Sequence, residues 1–266
     1  MADRQGYIAV FDSGVGGISV LRHLKRVMPR ENYLYYGDSA NAPYGIRSIG
    51  EVRALTVAAA EKLLSRNVKA LVVACNTATA VAIEELRRRW PDRIIIGIEP
   101  ALKVAADRFP GGDIGVMATP VTLQEEKFDL LLQRFSDRCQ VVKLPITGLV
   151  ERIEAGELEM AKDLLEPVLR PYAGKLHAVV LGCTHFPFAA RAIRRVLGTE
   201  IPVFDGATGT ARELARQLST RGLLTPATAP GRVMLTTSAP DRLPLYRLFW
   251  EKTATNIVAS AQKPLP

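Results

Sequence analysis

Cysteine and histidine are scarce in this chain of 266 residues, with three of each. The cysteines stand at 75, 139 and 183, an odd number at wide spacing. That pattern excludes a disulfide framework and points to free thiols in a reducing compartment. No two cysteines approach C-x-x-C spacing and the histidines are few, so no metal is expected. Long apolar runs are missing as well; none nears the roughly 18–20 residues of a membrane span. The opening residues, MADRQG, are polar and lead straight into a strand-like run, without the three regions of a secretory signal. A cytoplasmic protein that binds no membrane is the expectation. The net charge of +8 raises nucleic acid as a partner. The cations are scattered at helical spacing (Arg22, Lys25, Arg26; Arg87, Arg88, Arg89; Arg191, Arg194, Arg195) and no nucleic-acid module accompanies them, so nucleic acid is not expected either.

What the chain does have is ordinary globular composition, 48% apolar and 23% charged, and enough length for a sizeable core. Strand-like runs fall at 8–11, 33–36, 70–74, 94–98, 114–118, 140–144, 178–181, 202–204 and 233–236. Several are apolar at every position, as strands covered on both faces should be. Amphipathic helices lie between them: Val20, Leu21, Leu24 and Val27 form one stripe, and Phe128, Leu131, Leu132 and Phe135 another. The alternation predicts an α/β fold of mostly parallel sheets. The two halves echo one another. Each runs strand, hydroxyl-bearing loop and helix, and then, about 60 residues on, a strand ending in a cysteine loop. Two similar lobes follow, with the active site between them: 1–98 plus 208–266 for the first, 99–207 for the second. Open α/β sheets bind ligands beyond the C-terminal ends of their strands, so facing lobes would hold a ligand between two cysteines. The tail, 260–266, is expected to fray.

The run Asp12-Ser13-Gly14-Val15-Gly16-Gly17 follows a strand and opens a helix. Ser19 takes the third glycine position of a dinucleotide fingerprint, and Asp12 would face the pyrophosphate. The glycines suit a backbone that approaches a ligand closely, a small carboxylate better than a diphosphate. In Ala74-Cys75-Asn76-Thr77, a cysteine at a helix N-terminus gains thiolate character, and Asn76 and Thr77 can donate to a carboxylate; a packed cysteine capping a helix is the other reading. Gly182-Cys183-Thr184-His185-Phe186-Pro187 repeats the arrangement and adds an imidazole able to relay the thiol's proton. Cys139 lies near a strand start and reads as structural. Gly37-Asp38 and residues 41–45 form a turn-rich loop after the second strand.

The runs FDSGVGGISVL, YYGDSANAPYG, VVACNTATA and LGCTHFP, in this order and spacing, resemble bacterial glutamate racemases over about residues 6–220. The resemblance implies a two-base racemase with no cofactor, interconverting L- and D-glutamate and supplying D-glutamate for peptidoglycan. It implies that Cys75 serves D-glutamate and Cys183 L-glutamate, with Asp12 as helper of the first, His185 of the second, and Glu151 as a further carboxylate near the second. Ser13, Pro43, Tyr44, Gly45, Asn76, Thr77, Thr119, Thr122 and Thr184 would hold the substrate, and a homodimer is an assembly it allows. Many members have T-x-G-T where this chain has Thr119-Pro120-Val121-Thr122, which predicts a reshaped turn. Asp205-Gly206-Ala207 replaces an Asp-Ser-Gly or Asp-Pro-Gly run. The short segment before the first strand disfavours activation by a cell-wall precursor. Two alternatives stand beside this reading: a sister racemase acting on aspartate or another small acid, and a non-catalytic anion- or nucleotide-binding protein using the Gly-rich loop.

Overall fold

The structure, a computed structural model, describes residues 3–252; the expectation for 260–266 lies outside them. The described strands are β1 (Tyr7–Asp12), β2 (Tyr33–Gly37), β3 (Val68–Val73), β4 (Ile94–Gly97), β5 (Asp113–Ala118), β6 (Gln140–Pro145), β7 (Ala178–Leu181), β8 (Val203–Asp205) and β9 (Val233–Thr237). They form two parallel sheets, ordered β4-β3-β1-β2-β9 and β6-β5-β7-β8. Central strands β1, β3 and β7 are buried almost throughout because helices cover both faces. The edge strands β6 and β9 are partly exposed along most of their length.

Side chains from the inner faces of both sheets join in one apolar cluster: Ile8, Val10 and Val72 from the first, Met117, Leu144 and Val179 from the second. Separate clusters cover the outer faces, around Phe11, Leu71 and Leu86 on one side and Ile114, Val116 and Val180 on the other. The chain passes between sheets at 98–101 and again at 205–206. The two crossings touch: a Cβ on Gly206 would lie 2.1 Å from the Glu99 carbonyl oxygen. The helix Ala207–Thr220 then packs on the helix Ile18–Val27 and returns the chain to β9.

Parallel pairing sets neighbouring strand ends side by side. Phe11 of β1 is opposite Val73 of β3, so the Asp12 and Cys75 loops emerge together. Met117 of β5 is opposite Leu181 of β7, which does the same for the Thr119 and Cys183 loops. At the far end of the first sheet, buried Lys69 ties distant segments together through Glu31 (2.5 Å) and the carbonyls of Arg4 (2.7 Å) and Leu223 (3.0 Å). No helix among the described residues is long and apolar enough to cross a membrane.

Candidate active site

Cys75 caps the helix Asn76–Arg89, its sulfur accepting the Ala78 N–H at 3.4 Å while the thiol donates to Ser13 Oγ at 3.7 Å. The helix start is where sequence reasoning places it, but thiolate character does not follow in the resting protein. Burial pushes the Cys75 thiol up to about 12, Asp12 and Cys183 reinforce the rise, and the Ala78 and Ser13 contacts offset only part of it. Cys75 therefore rests as a thiol and needs an acceptor for its proton.

Asp12, fully buried at the end of β1, is in electrostatic contact with that thiol. Its Oδ2 accepts the Gly14 N–H at 3.1 Å and its Oδ1 the Thr184 hydroxyl at 3.0 Å, so one carboxylate touches loops of both sheets. Burial raises Asp12 to about 6, although His185 and the donors of Gly14, Thr184 and Gly17 favour its charged form. A carboxylate poised near 6 is suited to exchanging protons around neutrality.

Around the other thiol, Cys183 Sγ lies 3.8 Å from His185 Nδ1, and His185 Nε2 lies 2.7 Å from Glu154 Oε1. The same Glu154 oxygen accepts the Val15 N–H at 2.7 Å. Burial disfavours the imidazolium, but Cys183 and Glu154 together hold His185 well above its ordinary value. Burial likewise acts against the Glu154 carboxylate, and His185, the Val15 N–H and Arg242 bring it below the ordinary range. Both directions describe an ion pair beside Cys183.

The carboxylate that meets His185 is Glu154, three residues after the expected Glu151. Glu151 is exposed and lines a crevice with Pro43, Gly45 and Thr119 at the rim between the sheets, whereas Glu154 is buried on His185. Both lie on the helix Leu149–Glu154. At 100° per residue, Leu149, Val150 and Ile153 define an inward stripe that continues onto 154 and leaves 151 outside it. That stripe was the available signal.

The Gly-rich loop runs close to the second sheet's loops as well. A Cβ on Gly14 would lie 1.8 Å from Glu154 Oε1, and one on Gly16 2.4 Å from His185 Nδ1 and 2.6 Å from Thr184 Oγ1. Gly16→Ala is therefore expected to push His185 and Thr184 out of place and lower kcat by about 100-fold, the scale of an ångström's misplacement. Steady-state kinetics alongside a melting curve checks this; activity within threefold of the parent would contradict it.

The remaining predicted residues surround these two centres. Thr77, Thr119 and Thr122 form a hydroxyl triangle with sides of 3.0–3.3 Å. Thr119 caps the helix Pro120–Gln124, so Val121 takes helical backbone angles and the departure from glycine leaves no strain. Asn76 Oδ1 is buried and has no hydrogen-bond partner among the described residues. Tyr44 is buried and donates to Asp38 Oδ2 at 2.7 Å, which, with Asn41, fixes the loop holding Pro43 and Gly45. Tyr35, whose hydroxyl donates to the Gly14 carbonyl at 2.6 Å, was not singled out from sequence, and Asp38 was named there only as a turn residue. A Cβ on Gly45 would lie 2.8 Å from Thr119, so loops of the two sheets meet here. Cavities of 440 and 490 Å³ exist elsewhere, the first beside the crossings and the second beside Phe188 and Phe249.

Two buried thiols stand at matched strand ends, each with its own charged partner, and a thiol so placed can give and take a proton. Residues 15–214 match the Asp/Glu/Hydantoin racemase family model. The chain belongs to that family. The glutamate racemase of Clostridium botulinum (strain Alaska E43 / Type E3) is 47% identical over 234 residues, covering 87% of this chain and 91% of its own. Among solved structures, the Francisella tularensis glutamate racemase in complex with D-glutamate superposes with a TM-score of 0.81, at 25% identity, over 93% of this racemase and 94% of its own chain. The Escherichia coli glutamate racemase in complex with L-glutamate and the activator UDP-MurNAc-ala gives 0.77 at 30% identity, over 91% and 95%. The family places this chain among the isomerases of amino acids and related compounds, and the α/β fold of two parallel sheets is the one these racemases share.

Proposed function

We propose that this racemase interconverts L- and D-glutamate by a two-base, cofactor-free route, in the cytosol, and supplies D-glutamate for peptidoglycan. The observation that carries the mechanism is the pair of buried thiols, Cys75 and Cys183, with Asp12 against the first and His185–Glu154 against the second. A Cα–H next to a carboxylate is a very weak acid, so the carbanion needs preplaced donors and a dry site. Starting from D-glutamate, the Cys75 thiol first yields its proton to Asp12. The thiolate then takes the α-proton, and the Cys183 thiol delivers its own to the opposite face. The thiolate left on Cys183 is balanced by the His185 imidazolium. Starting from L-glutamate, the roles reverse.

Thr77, Thr119 and Thr122 suit a carboxylate by their clustered hydroxyls, with Ser13 and Thr184 nearer the thiols. The unpaired Asn76 Oδ1 suits the ammonium group. Pro43, Tyr44 and Gly45 close the rim. Because the site residues are buried, entry requires the lobes to part; 1–98 plus 208–266 and 99–207 are the proposed moving units. A cytosolic setting fits chemistry that depends on free thiols, and all three cysteines are free. That glutamate is the substrate is supported by the names of the relatives.

Purified protein incubated with L-glutamate and, separately, L-aspartate, without added cofactor, tests the proposal by chiral separation of the products. D-glutamate should form fastest. Faster turnover of aspartate would assign a sister activity, and no turnover of either would end the proposal. The pH profile carries a further expectation. Asp12 must be ionised to receive a proton from Cys75, and its raised value means that this state is lost as pH falls through about 6. The kcat/KM for D-glutamate should therefore drop on the acid side with an apparent pKa near 6, and Asp12→Asn should remove that limb along with most of the activity. An acid limb unchanged in Asp12→Asn would assign it to another group.

A further inference from the structure

We propose that Arg242 is a positioning residue for the Cys183 half of the site, acting through Glu154 from a segment that belongs to the other sheet. Its Nη1 donates to the Glu154 carbonyl oxygen at 3.1 Å. Glu154 ends its helix and is followed, two residues on, by Gly156 at φ +79°. The last carbonyls of a helix have no intrahelical donor, and a cation there also offsets the negative end of the helix dipole. Arg242 thus fixes the backbone from which the Glu154 carboxylate reaches back to His185 and the Val15 N–H.

Arg242 is itself well anchored. It follows β9 of the first sheet and opens into the helix Leu243–Lys252. One turn on, the Tyr246 hydroxyl lies 2.7 Å from Ser39 Oγ, and its ring meets Tyr35 edge-on with centroids 5.7 Å apart. Further along, Arg22 donates to the Trp250 carbonyl and stacks over the indole. The Tyr35 hydroxyl in turn holds the Gly14 carbonyl. The C-terminal helix, far from the thiols in sequence, is in this way fastened to the first lobe's Gly-rich loop and, through one guanidinium, to the second lobe's acid–base pair.

The inference rests on the two-thiol reading above, which the losses of activity in Cys75→Ala and Cys183→Ala test independently. Enantiomers have equal free energy, so any variant must lose kcat/KM equally in both directions. A defect confined to one thiol shows instead in isotope effects. With α-deuterated L- and D-glutamate, Arg242→Gln is expected to lower kcat/KM by about 10-fold, the scale of one charge-assisted hydrogen bond. The deuterium effect should rise for the enantiomer deprotonated by Cys183 and fall for the other; Glu154→Gln, moving the same way, identifies that enantiomer. Arg242→Lys should recover kcat/KM to within about 3-fold. Should the Gln variant melt below assay temperature, Arg242→Met is read in the same way. Unchanged kcat/KM, or a loss with both isotope effects unmoved, overturns the role of Arg242 while leaving the two-thiol reading intact.

Discussion

Replacing either Cys75 or Cys183 by alanine is expected to lower kcat/KM for glutamate by at least about 1,000-fold, the upper part of what one positioned acid or base contributes. The loss should be the same in both directions, because an enantiomeric pair has an equilibrium constant of one. Neither residual thiol is expected to substitute, since in the proposed mechanism each serves one face and has its own partner: Asp12 acts electrostatically on Cys75, and His185 lies 3.8 Å from Cys183. Both side chains are small and buried, so each alanine should cost the fold only about 1 kcal/mol, which a melting curve distinguishes from the kinetic loss. Cys139, whose thiol donates to the Phe135 carbonyl at 3.7 Å, serves as the control; alanine there should leave kcat/KM within about twofold. A variant lacking Cys75 or Cys183 with near-parental activity would contradict the mechanism.

Glu154→Gln has the next largest expected effect, a fall of about 100-fold in kcat/KM. The amide keeps the shape but removes the charge that holds His185 protonated. Its carbonyl oxygen can still stand where Oε1 now meets both the Val15 N–H and the imidazole at 2.7 Å, so the change is one of charge. The His185 imidazolium, fully buried, then loses its counter-ion and neutralises. Glu151→Gln, three residues earlier on the exposed side of the same helix, should stay within about twofold. The pair is measured with one assay. Equal losses in the two variants, or the larger loss at 151, would reverse the assignment made from the structure.

The strand runs were legible because parallel strands covered on both faces are apolar without alternation, and all nine runs coincide with observed strands to within two residues at either end. The pairing of β9 with β2 was not readable from the run itself, since it depends on a crossing that touches at Gly206 and Glu99. At the site, the strand-end positions of Cys75, Cys183, Asp12 and His185 followed from local pattern. What sequence could not supply was burial. It reverses the helix-start expectation for Cys75 and separates Glu154 from Glu151. It also makes the glycines at 14 and 16 a matter of room for Glu154 and His185. Arg242 was out of reach because its role depends on an 88-residue separation in sequence.

The central claim is that two thiols act from opposite faces, and the first moments of the reaction in D2O test it most directly. Protiated L-glutamate is mixed with the protein, the reaction is stopped after a few per cent conversion, and the α-position of each enantiomer is examined by mass spectrometry after chiral separation. Two opposed thiols predict that the D-glutamate formed carries deuterium at Cα while the remaining L-glutamate stays protiated. D-glutamate that retains the original proton, or deuterium appearing in L-glutamate as fast as D-glutamate forms, would show one base serving both faces and contradict the account.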